Sequence, residues 1–171
     1  MTGAGLLPVA IHKNKLYFLF GRENKYNDTP GWSDFGGGME KGESVIDTNL
    51  REIEEETCGF ITSEEIIASI KNHGTMTFTM TSNGRKYTTT IVKIPYDEKL
   101  PRYFNNNHTI IEKYVNPKII KTNVIFEKDK IEWFQLETID MNMFRPFYRT
   151  MVQKLIRNYK KIIEFSRSDD F

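Results

Sequence analysis

The stretch that most constrains this chain runs from residue 36 to residue 60, GGGMEKGESVIDTNLREIEEETCGF. Three glycines lead into a segment patterned as a helix. Ser44 is a good N-cap, and Asp47 three residues on completes a capping-box pattern. Gly59 is a stop signal. The spacing predicts a helix over about 44–57. Ile46, Leu50, Ile53 and Thr57 fall on one stripe at helical spacing, so that face is expected to be buried. Glu52, Glu55 and Glu56 share an arc of about 100° on the other side.

Such an arrangement is costly by itself. Like charges three and four residues apart on a helix repel, and carboxylates in the last turn face the negative end of the helix dipole. A bound divalent cation removes the conflict: hard oxygen ligands on one face suit Mg²⁺ or Mn²⁺, which need only a few carboxylates besides water and phosphate oxygens. A bare run of glutamates would read as a solvated acidic face. The preceding glycine loop and Arg51 reverse that reading.

The residues Gly37, Glu43, Arg51, Glu52, Ile53, Glu55 and Glu56 resemble the signature of the Nudix hydrolases, with the spacing kept at every charged position. Two positions depart from it. Cys58 stands where the closing glycine is expected and Gly59 follows one residue late; Gly36 stands where many members have proline. The resemblance implies an α/β fold, an α/β/α sandwich with a mixed sheet, and hydrolysis of a nucleoside diphosphate linked to another moiety. It implies metal ligation by Glu52, Glu55 and Glu56 with a backbone carbonyl at Gly36, and catalytic roles for these glutamates and for Arg51. It also implies that Glu43 pairs with Arg51 to tie the loop to the helix. In some members the Glu52 position is the general base. In others a later glutamate serves, for which Glu112 and Glu127 are the candidates; Glu127 reads more readily as a solvated loop charge. Narrower and different readings remain beside this one: an mRNA cap hydrolase, or a non-catalytic nucleotide-sensing module on the same fold.

The remaining sequence bounds these readings. With 171 residues, 39% hydrophobic and 27% charged, the chain suits one soluble domain over 1–171. Its 24 basic and 23 acidic residues leave a net charge of +1, unlike a dedicated nucleic-acid binder, so RNA is only weakly supported as a partner. The single cysteine, Cys58, excludes an internal disulfide and reads as a small packing residue rather than a nucleophile. No apolar run reaches membrane-spanning length and the N-terminus lacks a secretory pattern, so a cytoplasmic or nuclear location is expected, without a membrane partner. A homodimer is open, since many relatives pair.

Along the chain, residues 6–11 and 16–20 read as a hairpin and residues 32–35 as a short strand. Residues 61–70 fit either a helix from Ser63 or a strand from Ile67. Asn83-Gly84 between residues 76–81 and 86–94 signals a second hairpin. Residues 95–121 read as an irregular insertion with a short helix over 108–114. Residues 131–136 read as a strand. Pro146 opens a long C-terminal helix over about 145–165, and the polar tail from 166 is expected to fray. Arg22, Gly37 and Phe35 are the candidate substrate-binding residues. Phe35 and Trp32 read more readily as core. Arg102, Tyr103, His108, Lys113 and Tyr114 form a basic and aromatic set in the insertion that could hold a nucleotide or a cap, or be ordinary loop surface.

Overall fold

Two residues with positive φ, Lys13 and Asn14, turn strand β1 (Gly3–His12) into β2 (Lys15–Glu23). The computed structural model describes residues 2–168. Close to this turn the two strands pair, from Val9↔Phe18 to His12↔Lys15, and then they fork. Strand β3 (Trp32–Ser33) pairs with β2, and β4 (Phe35–Gly38) pairs with β1. The expected strand over 32–35 is therefore two strands, with buried Asp34 in the fork between them.

The second hairpin, β5 (Met76–Ser82) and β6 (Arg85–Lys93), turns at Asn83 and Gly84, both at positive φ as their turn type requires. Strand β6 runs parallel to β1 and β7 (Lys128–Phe134) antiparallel to β2. The sheet is thus mixed. Helices α1 (Val45–Glu56), α2 (Ser63–His73) and α3 (Lys99–Tyr114) cover one face over a core that includes Leu6, Phe35, Ile53 and Phe104. After α4 (Pro117–Thr122), helices α5 (Arg149–Arg157) and α6 (Tyr159–Arg167) cover the other face over Phe18, Phe20, Met151 and Leu155. The result is the expected α/β/α sandwich.

Three expectations need correction. The insertion is helical rather than irregular. Pro101 falls in the first turn of α3, where no backbone donor is needed. Leu100, Phe104 and His108 give α3 a buried stripe, and Asn105 joins it to the outer edge of β7 by bonding Ile131 N–H and C=O at 2.9 and 3.2 Å. The C-terminal helix is broken: a 3₁₀ turn (Pro146–Tyr148) leads into α5, and Asn158 ends α5 by donating its side-chain amide to the Lys154 carbonyl. Ser166 and Arg167 belong to α6, and the rest of the tail beyond 168 lies outside the described residues. Finally, the buried face of α1 is broader than the apolar stripe: Ile53 and Thr57 are buried and Leu50 packs against the core as expected, but Ile46 does not join them. Ile46 is 37% exposed, whereas Asn49, Glu52, Ile53 and Glu56 face the sheet. The ambiguous residues 61–70 are helix α2, with Thr62 and Glu65 forming its capping box.

Where β1 meets β4, Gly5 faces Gly36. A Cβ at Gly36 would overlap the Ala4 carbonyl oxygen and the Gly5 Cα, which are backbone atoms and cannot rotate away. We expect Gly36→Ala to cost about 3 kcal/mol or more, read as a lowered urea midpoint with unchanged m-value.

Candidate active site

The capped start of α1 fixes its rotation. Ser44 accepts from Asp47 N–H, and Asp47 returns a bond to Ser44 N–H at 2.9 Å. One turn on, Arg51 clamps the preceding loop. Its guanidinium bonds both Glu43 oxygens at 2.7 and 3.0 Å and the Gly38 carbonyl at 3.2 Å. It also bonds Glu52 at 2.8 Å and Glu55 at 3.3 Å. Arg51 holds the Glu43 carboxyl down at about 2, with help from Glu40 N–H and Thr48. The Glu43–Arg51 tie expected from the signature is thus present in the geometry. Glu54 points away from the other glutamates and accepts from Ser63 N–H at 2.9 Å.

Below Arg51 the carboxylates turn inward. Glu56 is 2% exposed and accepts from Gly36 N–H at 2.9 Å. Its other oxygen is 3.6 Å from the fully buried Lys128 ammonium, which also bonds Glu23 and, at 2.9 Å, the Ser33 hydroxyl. Arg145 reaches Glu23 at 3.0 Å from the C-terminal segment. Burial raises the Glu56 carboxyl well above its ordinary range, opposed by Lys128 and reinforced by Glu23, Glu52 and Glu127. Burial also raises Glu52 and the half-buried Glu127. For Lys128, burial works against the charge, but Glu56 and Glu23 outweigh it and the ammonium is held charged.

Five carboxylates, Glu23, Glu52, Glu55, Glu56 and Glu127, thus share a half-buried region with Arg51, Lys128 and Arg145. Among the described residues no three acidic, His or Cys side chains converge on one point ready to hold a metal. Arg51 engages Glu52 and Glu55, and Gly36 and Lys128 engage Glu56. The donor set nevertheless fits a hard divalent cation. Its oxygens are hard and partly desolvated, and burial first, then repulsion from neighbouring carboxylates, raises Glu52, Glu56 and Glu127.

On the opposite side of β4 lies a cleft of about 680 Å³. Its floor is the bare backbone of residues 36–38, its walls carry Tyr87 and Phe147, and its cations are Arg85, Lys86 and Arg145; no acidic residue lines it. The two rings meet edge to face at 5.7 Å, and Arg145 lies over Phe147 at 5.0 Å. Beneath it, Asp34 accepts from Tyr87 at 2.8 Å and Thr89 at 2.7 Å. Burial raises its carboxyl to about 6, against the pull of these two hydroxyls. A separate cavity of about 690 Å³, against α2 and the end of β6, holds none of the signature's charged residues.

The other sequence candidates are scattered. Phe35 is fully buried in the core and cannot touch a substrate; Trp32 is also buried, edge to face with Phe134. Arg22 is occupied by a two-pronged pair with Asp129 at 2.7 and 3.1 Å. Glu112 pairs with Lys25 at 3.6 Å. Arg102, Tyr103, His108, Lys113 and Tyr114 ride on α3 and none lines the cleft. His108 is buried beside Phe104. Cys58 itself takes the left-handed conformation, φ 52°, at the place where the signature puts glycine. Burial raises its thiol, which donates to the Ile125 carbonyl, so it is no nucleophile. Sequence reading missed Glu23, Lys128 and Arg145, and the cleft residues Arg85, Lys86, Tyr87 and Phe147. Glu23 and Lys128 stand among other polar residues, at the end of β2 and the start of β7, so the local sequence gave no signal that they are buried.

Fold and site together define a hydrolase that acts on phosphorus anhydrides. The NUDIX domain model matches residues 3–155, and the chain belongs to the Nudix family. No curated protein sequence matches it. Among solved structures it is similar to the M. smegmatis Nudix hydrolase RenU, with TM-score 0.59, 12% identity, and 95% and 88% of the two chains covered. It is also similar to the C. elegans Ap4A hydrolase, with TM-score 0.56, 18% identity, and 95% and 97% covered. For the MutT protein of Methanosarcina mazei Go1 the TM-score is 0.52 at 17% identity, with 94% and 95% covered. At these identities the likeness is one of fold.

Two outcomes follow from the geometry. The nearest atoms that a Cβ at Gly37 would meet belong to the Glu52 carboxylate, the movable end of a side chain. Gly37→Ala is expected to lower activity about tenfold or more while leaving the thermal midpoint near wild type. Asp34 shifts from 3.8 to about 6 on folding, so its contribution to stability is complete below 3.8 and lost as pH rises through about 6. Relative to Asp34→Asn, wild type should lose about 3 kcal/mol over that window, as measured by urea unfolding at pH 4, 5, 6 and 7.

Proposed function

We propose that this protein is a Mg²⁺- or Mn²⁺-dependent pyrophosphohydrolase that cleaves a nucleoside diphosphate joined to another group, by attack of water at phosphorus. One observation carries the reading: only a strand without side chains, residues 36–38, separates a cationic, aromatic and acid-free cleft from the signature carboxylates. A nucleoside suits Tyr87 and Phe147, its phosphates suit Arg145, and the anhydride then lies across the glycines toward Glu52 and Glu56.

Glu52, Glu55 and Glu56, with the Gly36 carbonyl, would hold the metal. When bound it would neutralise phosphate oxygens and make water a better nucleophile at neutral pH. Arg51 positions these glutamates through the Glu43 tie and engages Glu52 and Glu55 directly. Glu127, outside the helix and with its carboxyl raised, is suited to accept a proton from the attacking water. Lys128 keeps a positive charge beside Glu56 when no metal is near.

The test is product release from a panel of nucleoside diphosphate derivatives, nucleoside triphosphates, a dinucleoside polyphosphate and capped RNA, with Mg²⁺, Mn²⁺ or chelator. The similarity in fold to an Ap4A hydrolase puts the dinucleoside polyphosphate on that panel. Chelator-sensitive release of a nucleoside monophosphate is expected, and Glu52→Gln should lower kcat about 100-fold or more. Tight binding of one member without turnover would instead make the protein a nucleotide sensor.

A further inference from the structure

The buried ammonium of Lys128 has two carboxylates within reach and bonds only one of them. The side chain is fully buried and cannot turn to water. It donates to Glu23 and, at 2.9 Å, to the Ser33 hydroxyl. Glu56 lies 3.6 Å away, an ion-pair contact longer than a hydrogen bond. Neither Glu23 nor Ser33 belongs to the signature segment 36–60.

An irregularity in the sheet sets this preference. Arg22 faces Lys130 across β2 and β7, but Glu23 faces Lys128, so the register slips between them. In unbroken register Glu23 would face Asp129, an acid against an acid. The slip instead brings the ammonium onto Glu23 and leaves Asp129 to Arg22. Glu23 is itself held through both oxygens. One also accepts from Arg145 at 3.0 Å, the other accepts from Asn27 at 2.8 Å, and the residue is buried.

We propose that Glu23, helped by Ser33, is a positioning residue: it holds the Lys128 ammonium off Glu56 and so keeps a Glu56 oxygen open to a divalent cation. This rests on the metal-dependent reading given above. A charge taken out of water turns to whichever anion is left to it. With the Glu23 charge gone, a shift of about 1 Å turns the contact with Glu56 into a charge-assisted hydrogen bond. A metal then has to displace an ammonium that has no other anion beside it.

Calorimetric titration of the full chain with Mn²⁺ alone, without nucleotide, tests this apart from turnover. Glu23→Gln is expected to weaken Mn²⁺ binding about tenfold or more. Loss of a nearby negative charge would weaken it through space as well, and a double-mutant cycle separates the two causes. A through-space effect is the same with or without the Lys128 charge. In the Lys128→Gln background the proposal instead expects Glu23→Gln to change the affinity less than about twofold. Ser33→Ala alters no charge and removes the ammonium's other anchor. It should weaken Mn²⁺ binding about threefold or more, and it keeps the test open even if Lys128→Gln does not fold. Equal effects of Glu23→Gln in the two backgrounds would overturn the proposal, and so would an unchanged affinity in Ser33→Ala. If wild type binds no Mn²⁺, the metal-dependent reading falls and this proposal falls with it. If wild type and Glu23→Gln bind Mn²⁺ equally, this proposal alone falls.

Discussion

A buried ammonium ties the site together. Lys128 comes from β7 and meets Glu23 of β2, Ser33 of β3 and Glu56 of α1, while Arg145 brings the C-terminal segment to the same Glu23. Charges taken out of water are expensive, and they are tolerated where they are paired and hydrogen-bonded. Strands β2, β3, β4 and β7, helix α1 and the C-terminal segment therefore answer to one group of charges. The fork gives the carboxylates their place: were β1 and β2 paired along their whole length, β3, Asp34 and β4 would have no room between them.

The glycines serve that same geometry. Gly37 leaves space for the Glu52 carboxylate on one side of β4, and Gly36 leaves space for the Tyr87 hydroxyl and the β1 backbone on the other. A strand bearing side chains would wall the cleft off from the carboxylates. The positive-φ argument applies elsewhere, to the hairpin turns and to the exit from α1, where Cys58 and Gly59 are both left-handed. The offset of the signature's last glycine is thus absorbed by a left-handed cysteine ahead of the left-handed Gly59, a conformation uncommon but accessible to non-glycine residues.

Electrostatics divide the two sides of β4 sharply. On the helix side, crowded carboxylates have raised proton affinity because burial and mutual repulsion exceed what Arg51, Lys128 and Arg145 offset. On the cleft side the lining carries three cations and no acid. Such a pair of surfaces suits a substrate whose polyanionic part bridges them, with positive charge awaiting it on one side and metal-seeking oxygens on the other.

Much of this was legible in the chain. The capping box at Ser44 and Asp47, the turns at Asn83-Gly84 and before β2, and the Arg51–Glu43 spacing are local patterns, and local patterns survive folding because their partners lie within a few residues. The α/β/α arrangement followed from the family signature. On α1 the buried Ile53 and Thr57 were legible, but the tertiary structure alone decided that polar neighbours are buried beside them. The apolar stripe pointed to Ile46, yet Glu52 and Glu56 turn inward because Arg51, Gly36 and Lys128 receive them there. It also decided that the Asn-rich insertion is a helix, since Asn105 finds its partner in Ile131, and that Arg85 and Phe147 share a cleft. Those contacts join residues far apart in sequence, and no local pattern of charge or hydrophobicity encodes which distant group a buried polar side chain will meet.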